Sequence, residues 1–249
     1  MGVDIHGGWG NLGDWTSASN YINAAKSLAD RHARAAGLTT STRLLDLGSG
    51  FGSQLLYWRE AFEVASIHTV EPDPDARQAA QERCMHLEPS VTWLQDSAET
   101  LVLVPSSYDA VICLDSAYHF PKRESLITDW YKALDTGGTL VFTDLALPED
   151  QEHSSLRRAA PLFDIPSENL TTARLTMRIL EAAGFTNIVV DDLTQPVMAG
   201  FASFWKQAWQ ANRARSAGAW LKYRVTAAAC RQACRSSALR YVMFRADKS

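Results

Sequence analysis

Cysteine is scarce and poorly spaced for chemistry. Cys84, Cys113, Cys230 and Cys234 include no C-x-x-C pair, so neither a zinc site nor a disulfide framework is expected. Long apolar runs are missing as well. Nothing approaches the ~18 consecutive apolar residues of a membrane span, and the N-terminus has neither the basic nor the apolar region of a signal peptide, so a cytoplasmic protein is expected. Basic residues are thin over most of the chain. Residues 1–200 carry a net charge of -13, whereas 201–249 carry ten Lys and Arg against Asp247 alone, a net of +9, giving -4 overall. An acidic body with no recognisable nucleic-acid module argues against a nucleic-acid partner. The basic stretch points either to an anionic group on a small-molecule partner or to a solvated surface that complements the body. With 249 residues, 46% of them hydrophobic, the chain suits one globular domain, residues 1–249, with a substantial core and room for a small cap.

What is present centres on Arg43-Leu44-Leu45-Asp46-Leu47-Gly48-Ser49-Gly50-Phe51-Gly52-Ser53-Gln54. It reads as a buried strand ending in an acid and passing through a glycine turn into a helix. Glycines there let the backbone turn tightly and bring its N–H groups against a ligand with no Cβ in the way. The spacing is D-x-G-x-G-x-G, neither the G-x-G-x-x-G of dinucleotide binders nor a P-loop, and no Lys follows to reach a phosphate. A nicotinamide-dependent reductase is therefore disfavoured. Downstream, further apolar strands each end in an acid: residues 64–71 at Glu71, 108–114 before Asp115, and 139–144 at Asp144. In an open α/β sheet, ligands bind at the C-terminal strand ends, and an acid about 20 residues past the glycine turn suits a ribose.

The D-x-G-x-G-x-G pattern resembles the first motif of the class I S-adenosylmethionine (SAM) methyltransferases, and the likeness runs through L-x-x-G-G-x-L-V-x-x-D around Gly137 and Asp144. The resemblance implies a seven-stranded, mostly parallel sheet with an antiparallel last strand and helices on both faces. Residues 1–36 would form an N-terminal lid and helix, and 197–238 a helical cap inserted before the last strand. It also implies that the backbone of Gly48, Ser49 and Gly50 lies against the methionine part of the cofactor, with Asp46 serving its ammonium. Glu71, followed by Pro72, would take the ribose, Asp96 with Ser97 and Ala98 the adenine, and Leu114 would line the pocket. Tyr21 would reach the cofactor carboxylate. The opening His6-Gly7-Gly8-Trp9 segment resembles a lid found in small-molecule members, which makes Trp9 and Trp15 acceptor contacts.

Methyl transfer is an in-line displacement, which requires a near-attack pose and, for a hydroxyl or acidic carbon, removal of a proton. Asp115, Tyr118 and His119 stand where the methyl emerges. His119 is the best base, since imidazole moves protons near neutral pH, and Asp144 on the neighbouring strand is the carboxylate expected to hold it. Some natural-product O-methyltransferases that resemble this chain carry two adjacent histidines here, of which the first is Tyr118 in this sequence. The stripe of Phe201 and Trp205 in the cap suits an aromatic acceptor. A metal-free transferase acting on O, N or C of a small molecule, in secondary metabolism, with S-adenosylhomocysteine (SAH) as product, is the expectation. A relative that keeps the pocket but catalyses a cyclisation, and an RNA or protein methyltransferase, stand as alternatives.

Overall fold

The computed structural model describes residues 7–87, 90–94, 101–150, 156–211 and 217–249. The chain enters through helix α1 (Tyr21–Ala35), capped by Asn20 accepting from the Asn23 N–H, with Tyr21, Ala25, Leu28 and His32 on one buried face. Their three- and four-residue spacing puts them on a single stripe. Then come β1 (Arg43–Leu47), α2 (Ser53–Phe62), β2 (Ser66–Val70), α3 (Pro74–Cys84), β3 (Val91–Trp93), β4 (Tyr108–Cys113), α4 (Arg123–Ala133) and β5 (Leu134–Leu147). The second half holds a single turn α5 (Leu156–Ala159), β6 (Thr171–Thr172), α6 (Ala173–Ala183), β7 (Thr186–Asp192), a π-helical turn (Thr194–Ala199), α7 (Gly200–Ala211), α8 (Ala217–Ser236) and β8 (Arg240–Asp247).

The sheet order is β3-β2-β1-β4-β5-β8-β7, with β6 paired to β5. Only β8 runs antiparallel, along both β5 and β7. Among the described residues the expected seven strands are eight: β6 is a two-residue pairing of Thr171 and Thr172 with Ala146 and Leu147, too short to carry any period in the sequence. Alternation splits the core. Leu44, Ile67, Ile112 and Val141 pack on one face with α1, α2 and the cap, while Leu45, Leu47, Val111 and Phe142 pack on the other with α4 and α6. Phe142 also stacks on its register partner Phe244, with ring centroids 4.9 Å apart. No helix among the described residues is long and apolar enough to cross a membrane. Strand order reverses between β1 and β4, so the crevice at their C-terminal ends is the place where such a sheet binds ligands.

Asp46 locks α2 over β1. Its side chain is 0% exposed and accepts from Gln54 Nε2 at 2.9 and 3.0 Å and from Trp58 Nε1 at 2.6 Å. Burial pushes its carboxyl up to about 7, against those donors. The folded protein thus holds this proton more tightly than the unfolded chain, where Asp titrates near about 3.9. The stability it contributes is complete below that value and is lost as pH rises through about 7. In thermal unfolding from pH 4.5 to 8, the midpoint of the parent should fall relative to that of Asp46→Asn, which cannot titrate. A constant gap between the two curves would contradict this assignment.

Candidate cofactor and acceptor site

The turn after β1 is built against the end of β2. Gly48 N–H donates to Val70 O at 2.8 Å, and Gly50 N–H donates to Glu71 Oε2 at 2.6 Å, while Asp73 N–H donates to Oε1 at 3.0 Å. Glu71 is only 8% exposed, and burial raises its carboxyl above the usual carboxylate range. Gly48 (φ +85) and Gly50 (φ +55) adopt left-handed backbone, which strains any residue with a Cβ. At Gly48 a Cβ would lie 2.5 Å from Ser116 Oγ, so the turn presses against the end of β4, whereas at Gly50 a Cβ would meet nothing within 4 Å. Open space therefore lies beside Glu71. Ser49 Oγ at the same turn is buried with no hydrogen-bond partner among the described residues.

Asp46, expected to serve a ligand ammonium, sits behind this turn rather than on it, because Gln54 and Trp58 hold its carboxylate inside. Leu114 packs its side chain in the core and Pro72 is exposed. Asp96, Ser97 and Ala98 lie outside the described residues. Tyr21 is buried, and its hydroxyl donates to Asn11 O at 2.7 Å, which ties α1 to the segment before it.

That segment straps the strand ends. Ser53 Oγ donates to Gly7 O, Leu12 N–H donates to Asp115 Oδ2 at 2.7 Å, and Trp15 N–H donates to Pro196 O at 3.0 Å. Trp9 is buried in the core, edge-on to Tyr57, and Trp15 stacks on Phe204 with centroids 4.4 Å apart. Phe201 and Trp205 are buried too, the latter stacked on Tyr223 at 4.7 Å. The two tryptophans of the strap thus dock it onto the body.

The expected His119–Asp144 pair is not formed. Asp144 is buried and bonded to Arg123, which also donates to Asn169 O at 3.1 Å. A guanidinium nearby is a far stronger partner for a buried carboxylate than a neutral imidazole. His119 is exposed, and its Nδ1 lies 2.9 Å from Asp164 O. A carbonyl only accepts, so Nδ1 carries the proton and Nε2 keeps its lone pair. Tyr118 turns the other way, donating to Asp115 Oδ1 at 2.7 Å. Leu12, Ser116, Arg123, Asp164 and Asn169 were not singled out by sequence reasoning. Their contacts span 21 to 103 residues, and no short-range signal marks them.

Comparison with known proteins decides the family. Residues 45–142 match the model of a methyltransferase domain. Over 210 residues the chain is 27% identical to erythromycin 3''-O-methyltransferase of Saccharopolyspora erythraea, covering 80% of this chain and 69% of that one. The fold is similar to that of Haemonchus contortus phosphoethanolamine N-methyltransferase 2 in complex with S-adenosylhomocysteine (TM-score 0.80, 20% identity, 94% of this chain and 56% of that one). It is similar also to the 4+2 cyclase SpnF (TM-score 0.77, 20% identity, 96% and 87%). Residues 45–142 thus carry a methyltransferase domain, and the chain is similar to the class I SAM-dependent methyltransferases. It spans only about half the length of the Haemonchus enzyme.

SAM is the cofactor of this methyltransferase, and the turn fits it in three respects. Gly50 leaves bare backbone beside open space, Glu71 offers a carboxylate to ribose hydroxyls, and Ser49 has an unsatisfied hydroxyl. Gly50→Ala should fold, since its left-handed φ strains Ala by only about 1–2 kcal/mol and no atom crowds the new methyl. It should nonetheless bind SAH at least tenfold more weakly by calorimetry. Unchanged affinity would place the cofactor elsewhere.

Proposed function

We propose that this methyltransferase methylates a small organic acceptor held between the strand ends, the residue 7–15 strap and the α7–α8 cap, in the manner of natural-product tailoring. One arrangement carries the reading: the glycine turn with Glu71 stands at the switch point of the sheet, and Asp115, Tyr118 and His119 follow β4 on the adjoining side. The named acceptor of the Saccharopolyspora relative is a natural product, which supports the same class. When bound, SAM supplies an electrophilic methyl group on a sulfonium. Glu71 and the turn backbone hold its ribose and amino-acid end. The strap, fixed at Ser53, Asp115 and Pro196, excludes water from the strand ends.

His119 is the proton acceptor in this reading, with Asp164 O rather than Asp144 setting its tautomer. A base oriented by a backbone carbonyl lacks the charge that would stabilise its protonated form, so it acts best on an acceptor that is already acidic. The exposure of His119 and the absence of a hydrogen bond from it to a carboxylate among the described residues also favour a second reading, in which the pocket is kept and no methyl moves, as the name of the cyclase neighbour suggests. Incubation with methyl-labelled SAM and bacterial metabolite extract separates the two: label in a small-molecule product is expected, and persistent absence of label with SAM bound selects the second. His119→Ala should retain SAH affinity and lower kcat by roughly 10² to 10⁴, the usual cost of a lost positioned base. A kcat equal to the parent from pH 6 to 9 would remove His119 from the chemistry.

A further inference from the structure

Asp115 is a strand-end acid that the fold holds by hydrogen bonds rather than by an ion pair. It follows β4 with φ +57, a left-handed conformation unusual for a residue with a side chain and costly to hold. Thr143 Oγ1 pins its N–H at 2.8 Å, Tyr118 donates to Oδ1 and the strap's Leu12 N–H to Oδ2, each at 2.7 Å. No Lys or Arg among the described residues forms an ion pair with it, whereas Asp14 has Arg31 and Asp144 has Arg123. Each oxygen accepts one hydrogen bond of regular geometry, the Tyr241 hydroxyl stands close by, and the residue keeps partial access to solvent. Burial raises its carboxyl above the usual range, against the hydrogen bonds it accepts and the nearby His119, as expected of an acid removed from water with no Lys or Arg paired to it.

The walls around it are aromatic. Tyr241, at the start of β8, is fully buried, and its hydroxyl stands beside the Asp115 carboxylate and Thr143 without a hydrogen bond of regular geometry among the described residues. Burial first, and then the charge of Asp115, holds the Tyr118 and Tyr241 hydroxyls well above their ordinary pKa, so both rings stay neutral beside the acid. Tyr21 feels the same charge and stands 6.5 Å from Tyr223 by ring centroids. The basic residues of the cap are placed differently. Lys206, Arg224 and Arg231 line a groove of about 400 Å³ between α7 and α8 together with Trp209, over which Arg224 sits at 4.0 Å, and Lys206 and Arg224 are exposed. The buried positions of the same helices, Trp205, Ala227 and Cys230, pack into the core. These three cations thus belong to an outer groove, while the acids Glu71 and Asp115 stand at the strand ends.

We propose that Asp115, with Tyr118 and Tyr241, is a cation subsite, and that the acceptor carries a protonated or quaternary amine seated on the Asp115 carboxylate. This rests on the methyltransferase reading above and narrows it. A desolvated carboxylate gains most from a cation brought to it, and the faces of phenol rings attract ammonium in the same way. The ammonium is a handle and not the nucleophile, because its nitrogen has no lone pair while so held. The methyl therefore goes to another atom of the acceptor. The anionic acceptor expected from the basic stretch is the opposite of what this pocket selects.

The test uses the full chain saturated with SAH and two probes of equal shape, choline and its carbon isostere 3,3-dimethyl-1-butanol, titrated by ligand-observed NMR. Choline should bind about tenfold or more tightly than the isostere. Asp115→Asn should cancel that advantage and leave SAH and the isostere unchanged. Asn adopts left-handed backbone as readily as Asp, so this variant is expected to fold. If it does not, Tyr118→Leu, which removes a ring face, should weaken choline severalfold and the isostere less. Equal binding of the two probes, no choline binding to SAH-loaded protein, or choline affinity indifferent to the substitutions overturns the cation subsite alone. Failure of SAH to bind the parent overturns the methyltransferase reading, and the subsite with it.

Discussion

The 2.6 Å hydrogen bond from Gly50 N–H to Glu71 joins the end of β1 to the end of β2 and gives the cofactor seat its shape. It asks for three things at once: a parallel β1–β2 pairing in register, a turn that tolerates left-handed backbone, and an acid at the end of β2. The buried Asp46 supports it from behind, since its bonds to Gln54 and Trp58 fix where α2 begins and hence where the turn ends. One of these acids is structural and the other faces open space, and both follow from the same rule that strands of this sheet end in carboxylates.

Charge is sorted across the site in a way that composition hides. Asp144 is neutralised internally by Arg123, Glu71 by backbone N–H groups, and Asp115 by a phenol and by the strap, so only the last depends on a segment that must seat itself over the pocket. The strap thus does two things together: it covers the strand ends and satisfies one oxygen of Asp115.

The sequence was informative wherever a local pattern has a physical cause. The apolar runs of β1, β2, β4 and β5 and the glycine turn all read correctly from their residues and spacing. The two-residue β6 could not, having no period at all. Site chemistry was legible as residue types at strand ends but not as pairings. His119 and Asp144 lie on adjoining segments, yet Arg123, one helix away, took the carboxylate, because a buried acid binds the strongest donor within reach. Trp9, Phe201 and Trp205, read as acceptor contacts, serve the core, since large rings next to a cap are buried by the same packing that forms it. The net charge of residues 201–249 left an anionic ligand and a solvated surface both open, because a sum over sequence does not say which of these side chains lie on an outer groove.

Crystallisation of the protein with SAH tests the seat most directly. The expected result is a ribose whose hydroxyls donate to the Glu71 carboxylate, with the amino-acid end of the ligand along the backbone of Gly48, Ser49 and Gly50. A ligand bound away from this turn, or a ribose held by other residues while Glu71 keeps only its bonds to Gly50 and Asp73, would contradict it.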